Sequence, residues 1–343
     1  MKSVVVKAFG GVDQMHLVEE TTPEPGPGQV RVRLTSIGLN HADLMARKGE
    51  YKLYSGEPPF TPGLEGGGVI EALGEGVASR TVGQRVVLSA DAPRRRNRNS
   101  SGGTYRSHYL VRAEQALPAP DGLPDDALGA VWLPYLTAWG CLVWKQNLRE
   151  GDIVAIPAAS SSVGLAASQV AHERGAKVIG TTTHPSKADQ LRAMPEAKFD
   201  HIVVTRDADG NDTDWYHELR KLTAGRGVDV FFDPVAAGAF LDTEIRSLAN
   251  YGTIWIYGLL GKPDKVDVSP LIRKHASIRG WVLGEIMDGG PETLERAERE
   301  ILEALGEGRY KLCIAERFKL DEVARAHEKM AQGRHIGKLV LVP

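Results

Sequence analysis

Residues 152–183 carry the stretch DIVAIPAASSSVGLAASQVAHERGAKVIGTTT, which predicts a strand, a tight turn, a helix and a second strand. The apolar, mostly β-branched run at 153–156 is typical of a strand buried on both faces. Residues 161–174 place apolar side chains at helical spacing, and Gly175 predicts the helix end before a second strand at 177–181. The stretch therefore predicts one βαβ unit, the building block of a parallel sheet.

The turn between the first strand and the helix consists of small residues and predicts an anion site. The first amides of a helix have no partners inside the helix, and together with the helix dipole they favour a phosphate group. The three spaced positions of the dinucleotide fingerprint G-x-G-x-x-G are held by Ala159, Ser161 and Gly164. Because only the last of these is glycine, an ordinary strand-to-helix turn stays open as the alternative.

The residues after the second strand discriminate between the two nicotinamide cofactors. An NAD site carries an Asp or Glu there, which binds the ribose hydroxyls. This chain has threonines at 181–183 and then Lys187, with no carboxylate before Asp189. Hydroxyl groups and an ammonium group suit the 2′-phosphate of NADPH. The sequence therefore favours NADPH over NADH; the alternative is that Thr182 and Lys187 only begin the next helix.

Composition limits the class of protein. The chain has 343 residues, enough for two domains, and its net charge of −2 gives no overall field that attracts nucleic acid or a lipid surface. Two cysteines, Cys141 and Cys313, exclude a disulfide scaffold and a multi-cysteine zinc lobe. No apolar run reaches membrane-spanning length, and the opening MKSVVVKAFGG lacks a signal-peptide core. We therefore expect a cytoplasmic protein with no membrane or nucleic-acid partner.

The pattern of predicted elements changes near residue 126. The first 125 residues are rich in glycine and predict a small β-rich barrel, with strands at 4–8, 30–34, 69–73 and 85–89. Strands and helices then alternate up to residue 262, which predicts an α/β domain with a doubly wound parallel sheet.

The last part of the chain predicts a mixed set of elements. These are a strand at 277–283, helices at 292–305 and 321–330, and a strand at 337–342. We expect the final strand to rejoin the β-rich part. The expected domains are therefore 126–262, inserted between 1–125 and 263–343.

A basic segment, RRRNR from Arg94 to Arg98, lies within a polar stretch. Two readings stay open: a solvated surface loop, or a basic rim that attracts an anionic substrate or the cofactor phosphate.

Six motifs, in this order along the chain, resemble the medium-chain dehydrogenase/reductase superfamily over essentially the whole length. They are SIGLNHADLMARKGEY (36–51), TPGLEGGGVIEALGEGV (61–77), PYLTAWG (134–140), AASSSVGLAASQVA (158–171), GRGVDVFFDPV (225–235) and GKLVLV (337–342). Within that superfamily the chain is most similar to the zinc-free quinone oxidoreductase and enoyl-reductase branch. The resemblance implies a chaperonin-10-like (GroES-like) catalytic domain formed from both chain ends, with a Rossmann domain inserted in it.

Two departures from the zinc-dependent branch argue against a metal. Zinc alcohol dehydrogenases carry a Cys where this chain has Asn40, and a His in Gly-His-Glu where it has Leu64. Neither Asn nor Leu is a plausible zinc ligand, so the Lewis acid that would polarise a carbonyl is expected to be absent.

The resemblance implies two catalytic residues. Reduction of a quinone or an enone creates negative charge on an oxygen or at the α-carbon, which calls for a hydrogen-bond or proton donor. Tyr51 matches the donor tyrosine of the enoyl reductases, with Tyr54 as a nearby competitor. Asn40 matches the asparagine of the branch, which binds a substrate oxygen or the nicotinamide ribose. Asp43 is expected to orient its loop or cap the following helix, and packing or turn roles stay open for Tyr51 and Asn40.

The resemblance also implies the residues that contact the cofactor. Thr137 is placed near the nicotinamide ribose, Tyr257 beside the adenine or a ribose, and Leu283 in the nicotinamide pocket. The pyrophosphate is assigned to the turn residues Ser161, Ser162, Val163 and Gly164, and the 2′-phosphate to Thr182 and Lys187. A plain packing or surface role is the alternative for each.

Together these residues predict a zinc-independent reductase that transfers a hydride from NADPH to a quinone or an α,β-unsaturated carbonyl. A non-catalytic NADPH-binding protein and a zinc-free alcohol dehydrogenase stay open as alternatives, as does the identity of the small-molecule substrate. The resemblance further implies a homodimer, joined edge to edge through the strand predicted at 277–283.

Overall fold

The computed structural model describes residues 1–94 and 102–343, so residues 95–98 of the basic segment lie outside the described part. The chain divides into two compact units. Residues 1–133 and 298–343 form the β-rich unit, and residues 134–297 form the parallel-sheet unit.

The strands of both units, in chain order, are β1 (Lys2–Val6), β2 (Met15–Glu19), β3 (Gln29–Gly38), β4 (Gly66–Leu73), β5 (Arg85–Leu88), β6 (His108–Arg112), β7 (Ala116–Pro118), β8 (Ile153–Ile156), β9 (Lys177–Thr182), β10 (His201–Val204), β11 (Val228–Asp233), β12 (Leu248–Ile256), β13 (Ser277–Gly280), β14 (Ile314–Lys319) and β15 (Lys338–Val342).

The α-helices are α1 (His41–Lys48), α2 (Lys52–Ser55), α3 (Trp132–Ala138), α4 (Ser162–Glu173), α5 (Pro185–Ala193), α6 (Trp215–Leu222), α7 (Gly238–Ser247), α8 (Pro270–Lys274), α9 (Gly284–Asp288), α10 (Pro291–Gly306) and α11 (Val323–Gln332). A π-helical segment, Trp139–Lys145, continues α3.

The β-rich unit is built on a seven-stranded sheet in the order β14-β15-β3-β4-β5-β7, with β6 also paired to β3. Strand β3 alternates between buried and more exposed residues at its start, where Val30, Val32 and Leu34 enter the core, and becomes fully buried at its end. The two chain ends meet here, because β15 pairs with β3. The predicted return of the final strand to the β-rich part is thus observed.

The parallel-sheet unit has six parallel strands in the order β10-β9-β8-β11-β12-β13. This is the 3-2-1-4-5-6 order of the Rossmann fold, in which the chain reverses direction across the sheet beside its first strand. All four residues of β8 are buried, as its apolar run predicts. The predicted fold class, a Rossmann sheet with a GroES-like β-rich partner domain, is confirmed.

The observed division of the chain lies beyond the two predicted domain boundaries. The chain passes from the β-rich unit to the parallel-sheet unit between residues 133 and 134, where the sequence predicted 125 and 126. It returns to the β-rich unit between residues 297 and 298, where the sequence predicted 262 and 263. The second difference arises because β13 pairs with β12 as the sixth parallel strand. Its short and half-exposed sequence, SIRG, carries little apolar signal because it lies at a sheet edge.

The strand predicted at 277–283 ends at Gly280, which changes the expected setting of Leu283. Leu283 has helical backbone angles, with φ −50° and ψ −31°, and it is the residue before α9. The prediction that Leu283 lies on a strand is therefore wrong, because the chain turns into the short helix α9 after Gly280.

Candidate active site

The turn after β8 has the close packing that a phosphate-binding turn needs. Ser161 precedes α4, and its hydroxyl accepts a hydrogen bond of 3.0 Å from the amide of Gly164. A Cβ at Gly164 would lie 2.8 Å from the carbonyl oxygen of Ala158 and 2.9 Å from that of Ala159. Ala158 itself adopts a left-handed backbone conformation with φ +49°. Only glycine at 164 lets the helix begin this close to the turn.

The start of α4 provides donors for an anion. Ser162 and Val163 are the first two residues of the helix, so their amides have no acceptor within it. Ser161, Ser162 and Val163 are all partly exposed, which leaves this end of the helix within reach of a ligand. The amides and the helix dipole together fit the pyrophosphate group of a dinucleotide.

Lys187 adds a positive charge beside the same turn. It lies in the first turn of α5, and its Nζ donates a hydrogen bond of 3.2 Å to the hydroxyl of Ser160. Burial lowers the pKa of Lys187. Thr182 is the last residue of β9 and is nearly buried, and its carbonyl accepts a hydrogen bond from the amide of Thr205. Of the two residues predicted to bind a 2′-phosphate, Lys187 is the one whose charged group lies at the turn.

Tyr257 follows β12 at the carboxyl edge of the sheet. Its ring stacks on Phe232, with centroids 4.1 Å apart, and its hydroxyl is buried beside Ser161 without a well-formed hydrogen bond to a described residue. Burial, with the nearby charge of Asp233 as a second cause, raises the pKa of Tyr257. The structure thus places the hydroxyl of Tyr257 beside the turn that precedes α4, whereas the resemblance implies the adenine or ribose side.

The two remaining residues predicted to contact the cofactor lie in helical segments. Thr137, near the end of α3, is nearly buried, and its carbonyl accepts a hydrogen bond of 3.0 Å from the indole of Trp281. Leu283, at the start of α9, is half-buried.

A pair of buried carboxyl groups lies next to Tyr257. Asp233, at the end of β11, accepts hydrogen bonds of 2.6 and 2.7 Å from the amides of Val235 and Ala236. Glu244 of α7 is fully buried and adjoins Asp233. Burial first, and the charge of Asp233 second, raise the pKa of Glu244 well above its ordinary value. Burial therefore favours the protonated form of Glu244 in the folded protein.

This pair makes stability depend on pH. Because the pKa of Glu244 is higher in the folded state than in the unfolded chain, the stabilisation is complete at acid pH and is lost as the pH rises above about 4.3. Above that pH, and below the raised pKa of Glu244, the loss in the free energy of unfolding approaches about 1.4 kcal/mol for each pH unit. We predict that Glu244→Gln gains stability relative to the unmodified protein between pH 5 and pH 8, measured by urea unfolding. A stability difference that is equal at the two pH values would contradict this assignment.

In the β-rich unit, three strand ends bring polar residues together. Asn40 follows β3, Glu65 directly precedes β4, and Lys338 is the first residue of β15. Strand β3 pairs with both of the others, through Ile37 with Gly66 and through Gly38 with Val340. The sheet register therefore places the three side chains at one point.

The three side chains form a hydrogen-bonded cluster, called here the Lys338 cluster (Asn40, Glu65 and Lys338). The Nζ of Lys338 lies 2.6 Å from Oε1 of Glu65 and 2.5 Å from Oδ1 of Asn40. The Nδ2 of Asn40 donates to Oε1 of Glu65 at 3.1 Å and to the carbonyl of Gly38 at 3.2 Å. The side chain of Lys338 is 3% exposed. The cluster is a buried ion pair with an amide attached to both charges.

Glu65 is held on its other side by backbone amides. Its Oε2 accepts hydrogen bonds of 2.8 and 3.0 Å from the amides of Trp132 and Leu133, at the start of α3. A Cβ at Gly38 would collide with Oε1 of Glu65, so the glycine makes room for the carboxylate. Each oxygen of Glu65 thus accepts two hydrogen bonds, as a buried carboxylate requires.

This geometry limits what Asn40 can do. Its amide has two N–H groups, and both are donated inside the cluster. A substrate carbonyl oxygen only accepts hydrogen bonds, so Asn40 has no N–H left for it in this arrangement. Its Oδ1 accepts a hydrogen bond from Lys338 and has a second lone pair. Asn40 can therefore still accept a hydrogen bond from a hydroxyl group.

Asp43 orients the loop around Asn40. It is fully buried and accepts hydrogen bonds from the amide of Asn40 at 2.9 Å, the hydroxyl of Tyr54 at 3.1 Å, the amide of Gly63 at 3.1 Å and the hydroxyl of Tyr105 at 3.3 Å. Burial raises the pKa of Asp43 to about 6. Its bond to the Asn40 amide, at the start of α1, is the capping contact that the sequence predicts.

Tyr51 differs from Tyr54 in its hydrogen bonds. Tyr54 donates its hydroxyl proton to Asp43, so that proton is already in use. The hydroxyl of Tyr51 makes no hydrogen bond within residues 1–94 and 102–343, and its half-buried ring lies 5.9 Å from that of Tyr54. Asn40 and Tyr51 are therefore linked through Asp43 and Tyr54, and Tyr51 is the side chain of this group with a free donor.

Three residues of this region were not singled out as site residues by the sequence. Lys338 had a signal only as the lysine of the GKLVLV motif. Tyr105 bonds to the ring of His327 at 3.2 Å. Burial, with the charge of Arg47 as a second cause, lowers the pKa of His327 to about 3, so this histidine is neutral. No local pattern marks Tyr105 or His327, because the contacts of Tyr105 with Asp43 and with His327 form only through the fold.

The described part of the chain comprises the ranges 1–94 and 102–343. Within them, no group of three or more His, Cys, Asp or Glu side chains is arranged to hold a metal ion. Within the same ranges, none of the helices is both long and apolar enough to span a bilayer.

Two family patterns match the chain. The alcohol dehydrogenase GroES-like domain matches residues 26–121, and the zinc-binding dehydrogenase family matches residues 162–303. Together they cover parts of both units.

Individual relatives match along the full chain. A quinone oxidoreductase from Pseudomonas aeruginosa is 31% identical, over 100% of this chain and 99% of the relative. A crystal structure of an NAD-dependent alcohol dehydrogenase has a TM-score of 0.85 at 29% identity, over 100% of both chains. The crystal structure of Escherichia coli quinone oxidoreductase complexed with NADPH has a TM-score of 0.84 at 25% identity, also over 100% of both chains.

Proposed function

We propose that this chain, which belongs to the quinone oxidoreductase-like branch of the medium-chain dehydrogenase/reductase superfamily, is an NADPH-dependent, zinc-independent reductase of quinones or α,β-unsaturated carbonyls. The observation that carries the proposal is the buried ammonium of Lys338, held between Asn40 and Glu65. This ammonium group is part of the chain, so the Lys338 cluster has a positive charge without a bound cation.

Zinc independence rests on charge and on ligand type. The single negative charge of Glu65 is already balanced by Lys338 at 2.6 Å. A divalent cation bound to Glu65 would face the ammonium at short range in a buried setting, where like charges repel strongly. The side chains at 40 and 64, Asn and Leu, are not zinc ligands in known sites.

The parallel-sheet unit fits a nicotinamide dinucleotide. The amides of Ser162 and Val163, which have no acceptor within α4, suit the pyrophosphate. The buried hydroxyl of Tyr257 beside Ser161 is a donor without a well-formed hydrogen bond to a described residue. The ammonium of Lys187 favours NADPH, since no carboxylate stands at the end of β9 to repel a 2′-phosphate. When bound, NADPH supplies the hydride, and the chain binds and orients the reactants.

Tyr51 is assigned as the group that donates to the oxygen of the acceptor. A quinone or enone oxygen gains negative charge during reduction, and a placed hydroxyl stabilises that charge. The hydroxyl of Tyr51 makes no hydrogen bond to a described residue and can form this bond, whereas the hydroxyl of Tyr54 and the amide of Asn40 are donated to Asp43, Glu65 and Gly38.

The proposal is tested by following NADPH consumption against a panel of acceptors: a benzoquinone, a phenanthrenequinone, an alkenal, an enone and crotonyl-CoA. We expect turnover with at least one of them, and the preferred acceptor separates quinone from enoyl chemistry. Tight NADPH binding without turnover of any acceptor would contradict the proposal and favour a non-catalytic, nucleotide-binding protein.

A second candidate function is a zinc-free alcohol dehydrogenase. The observation in its favour is the similarity to the NAD-dependent alcohol dehydrogenase structure. Oxidation assays with NADP and NAD against primary and secondary alcohols distinguish the two. Faster alcohol oxidation than acceptor reduction would favour the dehydrogenase.

We also propose a homodimer formed through β13. This strand pairs with β12, and no described strand pairs with its other edge. Exposed apolar side chains accompany it, among them Ile272, which is 79% exposed, and Val282. Open sheet edges with apolar neighbours are prone to pairing with a second chain.

The two free cysteines, one of them buried, are consistent with the cytosolic location that we propose.

Light scattering at micromolar concentration tests the dimer. We predict a mass of twice the 37.2 kDa of one chain, and a shift toward that of a single chain in Ile272→Asp. The matched control is Val82→Asp, which places the same charge on an exposed valine of the β-rich unit. A mass of one chain for the unmodified protein would rule the dimer out.

A further inference from the structure

We propose that His327 is a positioning residue that acts through Tyr105 to keep the carboxyl group of Asp43 ionised. Only the ionised carboxyl group holds both Asn40 and Tyr54 in the arrangement that the reaction uses. This inference concerns the control of the proposed reaction by pH, so it rests on the proposed function. All five residues belong to the β-rich unit.

The carboxyl group of Asp43 is saturated with hydrogen-bond donors. Its Oδ1 accepts from the amide of Gly63 and the hydroxyl of Tyr54, both at 3.1 Å. Its Oδ2 accepts from the amide of Asn40 at 2.9 Å and the hydroxyl of Tyr105 at 3.3 Å. A proton on either oxygen would occupy the place of one of these donors, because a protonated carboxyl group is itself a donor. The charged form is therefore the one that fits all four contacts.

Loss of the charged form would disturb the proposed proton donor. The amide of Asn40 begins α1 through its bond to Asp43, and the ring of Tyr54 lies 5.9 Å from that of Tyr51. Burial raises the pKa of Asp43 to about 6. A further contact that favours the charged form therefore decides how much of it is present near neutral pH.

The hydroxyl of Tyr105 has two neighbours and one proton. It lies 3.3 Å from Oδ2 of Asp43 and 3.2 Å from Nε2 of His327. Tyr105 can donate to Nε2 only if that nitrogen carries no proton of its own. The tautomer of His327 therefore decides whether the proton of Tyr105 faces Asp43.

The surroundings of His327 place its proton on Nε2. Burial first, and the charge of Arg47 second, lower the pKa of His327 to about 3, so the ring carries one proton. Its Nδ1 is buried and makes no hydrogen bond to a described residue. An N–H group at Nδ1 would lack an acceptor and would add to the positive charge near the ring, whereas the oxygen of Tyr105 can accept a proton from Nε2.

A proton on Nε2 gives the hydrogen bonds one direction. His327 donates to the oxygen of Tyr105, and Tyr105 donates to the carboxylate of Asp43. Successive hydrogen bonds polarise one another, so the N–H group of His327 strengthens the bond that stabilises the charged carboxylate. Two further charged groups face this chain and are paired with each other: Lys338, which favours the ionised form of Asp43, and Glu65, which lies near Tyr105.

The test removes or keeps the N–H group at position 327. His327→Leu lacks the donor, and His327→Gln retains an N–H group on a side chain of similar reach. Tyr105→Phe removes the hydroxyl that links the two ends. The matched control is His16→Leu, which makes the same change at a half-buried histidine on β2 of the same unit.

The first readout is kcat for the preferred acceptor between pH 5 and pH 8.5. We expect kcat of the unmodified protein to fall about 10-fold on the acid side, with a midpoint at a pH of about 6. The midpoint should rise by about one to two pH units in Tyr105→Phe and by about 0.5 in His327→Leu. His327→Gln and His16→Leu should keep the unmodified midpoint, and Asp43→Asn should be slow at every pH.

The second readout follows the carboxyl group itself. The carboxyl carbon of Asp43 is titrated by NMR in protein without NADPH, and its signal is identified by its absence in Asp43→Asn. The midpoints should move by the same amounts, and in the same variants, as those of kcat. This readout does not depend on turnover.

The outcomes separate the alternatives. Equal carboxyl midpoints in His327→Leu and the unmodified protein would overturn the proposal, and so would a midpoint that rises as much in His327→Gln as in His327→Leu. A carboxyl midpoint that moves while the acid limb of kcat stays in place would also overturn it, because the charge of Asp43 would then not control the reaction. If the unmodified protein reduces no acceptor, the proposed function fails separately. The carboxyl midpoints alone then support the action of His327 on Asp43 if they move, and overturn it if they do not.

Discussion

Tyr51→Phe lowers kcat for the preferred acceptor by about 100- to 1000-fold, with little change in the Kd for NADPH. The ring is retained, so the packing against Tyr54 at 5.9 Å is preserved and only the hydroxyl is lost. That hydroxyl makes no hydrogen bond to any other described residue, so its removal leaves no buried group unpaired within that part of the chain. The measurement is steady-state turnover, with NADPH binding followed by fluorescence.

Tyr54→Phe provides the comparison. Its hydroxyl donates to Asp43 and accepts from the amide of Gly63, and both groups keep another partner after its loss, because the Gly63 amide also donates to Asp43. We expect a smaller fall in kcat, below about 10-fold, with a loss of about 0.5–1.5 kcal/mol in the free energy of unfolding for each hydrogen bond removed. A larger loss of kcat in Tyr54→Phe than in Tyr51→Phe would reverse the assignment of the donor.

Lys187→Glu weakens NADPH binding by about 2–3 kcal/mol, or roughly 30- to 150-fold in Kd. The change removes one charge-assisted contact and adds a carboxylate beside the turn where Lys187 now bonds to Ser160. NADH lacks the 2′-phosphate, so its Kd should change little. Both values come from titration of the protein with each cofactor.

Lys221→Glu is the matched control for this prediction. It makes the same change of charge at an exposed lysine of α6 in the same unit. The ratio of the NADPH and NADH affinities should stay at the unmodified value in this variant. Equal weakening of both cofactors by Lys187→Glu would contradict the assignment of Lys187 to the 2′-phosphate.

Most of the fold could be predicted because periodic apolar patterns determine it. The run at 153–156 and the stripe along 161–174 correspond to β8 and α4 almost residue for residue. The strand predicted at 277–283 is present as β13, but its two half-buried and two exposed residues carry too little apolar signal to show from the sequence that it belongs to the parallel sheet. The same weak signal led to the misplacement of Leu283 on a strand.

The candidate site also combines residues that a local sequence pattern reveals with residues that only the fold brings together. Ser161 and Gly164 are local features of one turn, and their spacing alone pointed to it. The Lys338 cluster joins residues 40, 65 and 338, which only the pairing of three strands brings together. For the same reason the sequence left both roles of Asn40 open, because the use of its N–H groups depends on Glu65 and Lys338.

Reduction by NADPH without a metal can be tested in a single experiment. Protein is treated with a strong chelator and freed of it, its zinc content is determined by elemental analysis, and NADPH oxidation by the preferred acceptor is then measured. We predict a zinc content near zero with an unchanged kcat, since Lys338 provides the positive charge beside Asn40 and Glu65. Activity that is lost with the metal and restored by added zinc would contradict it.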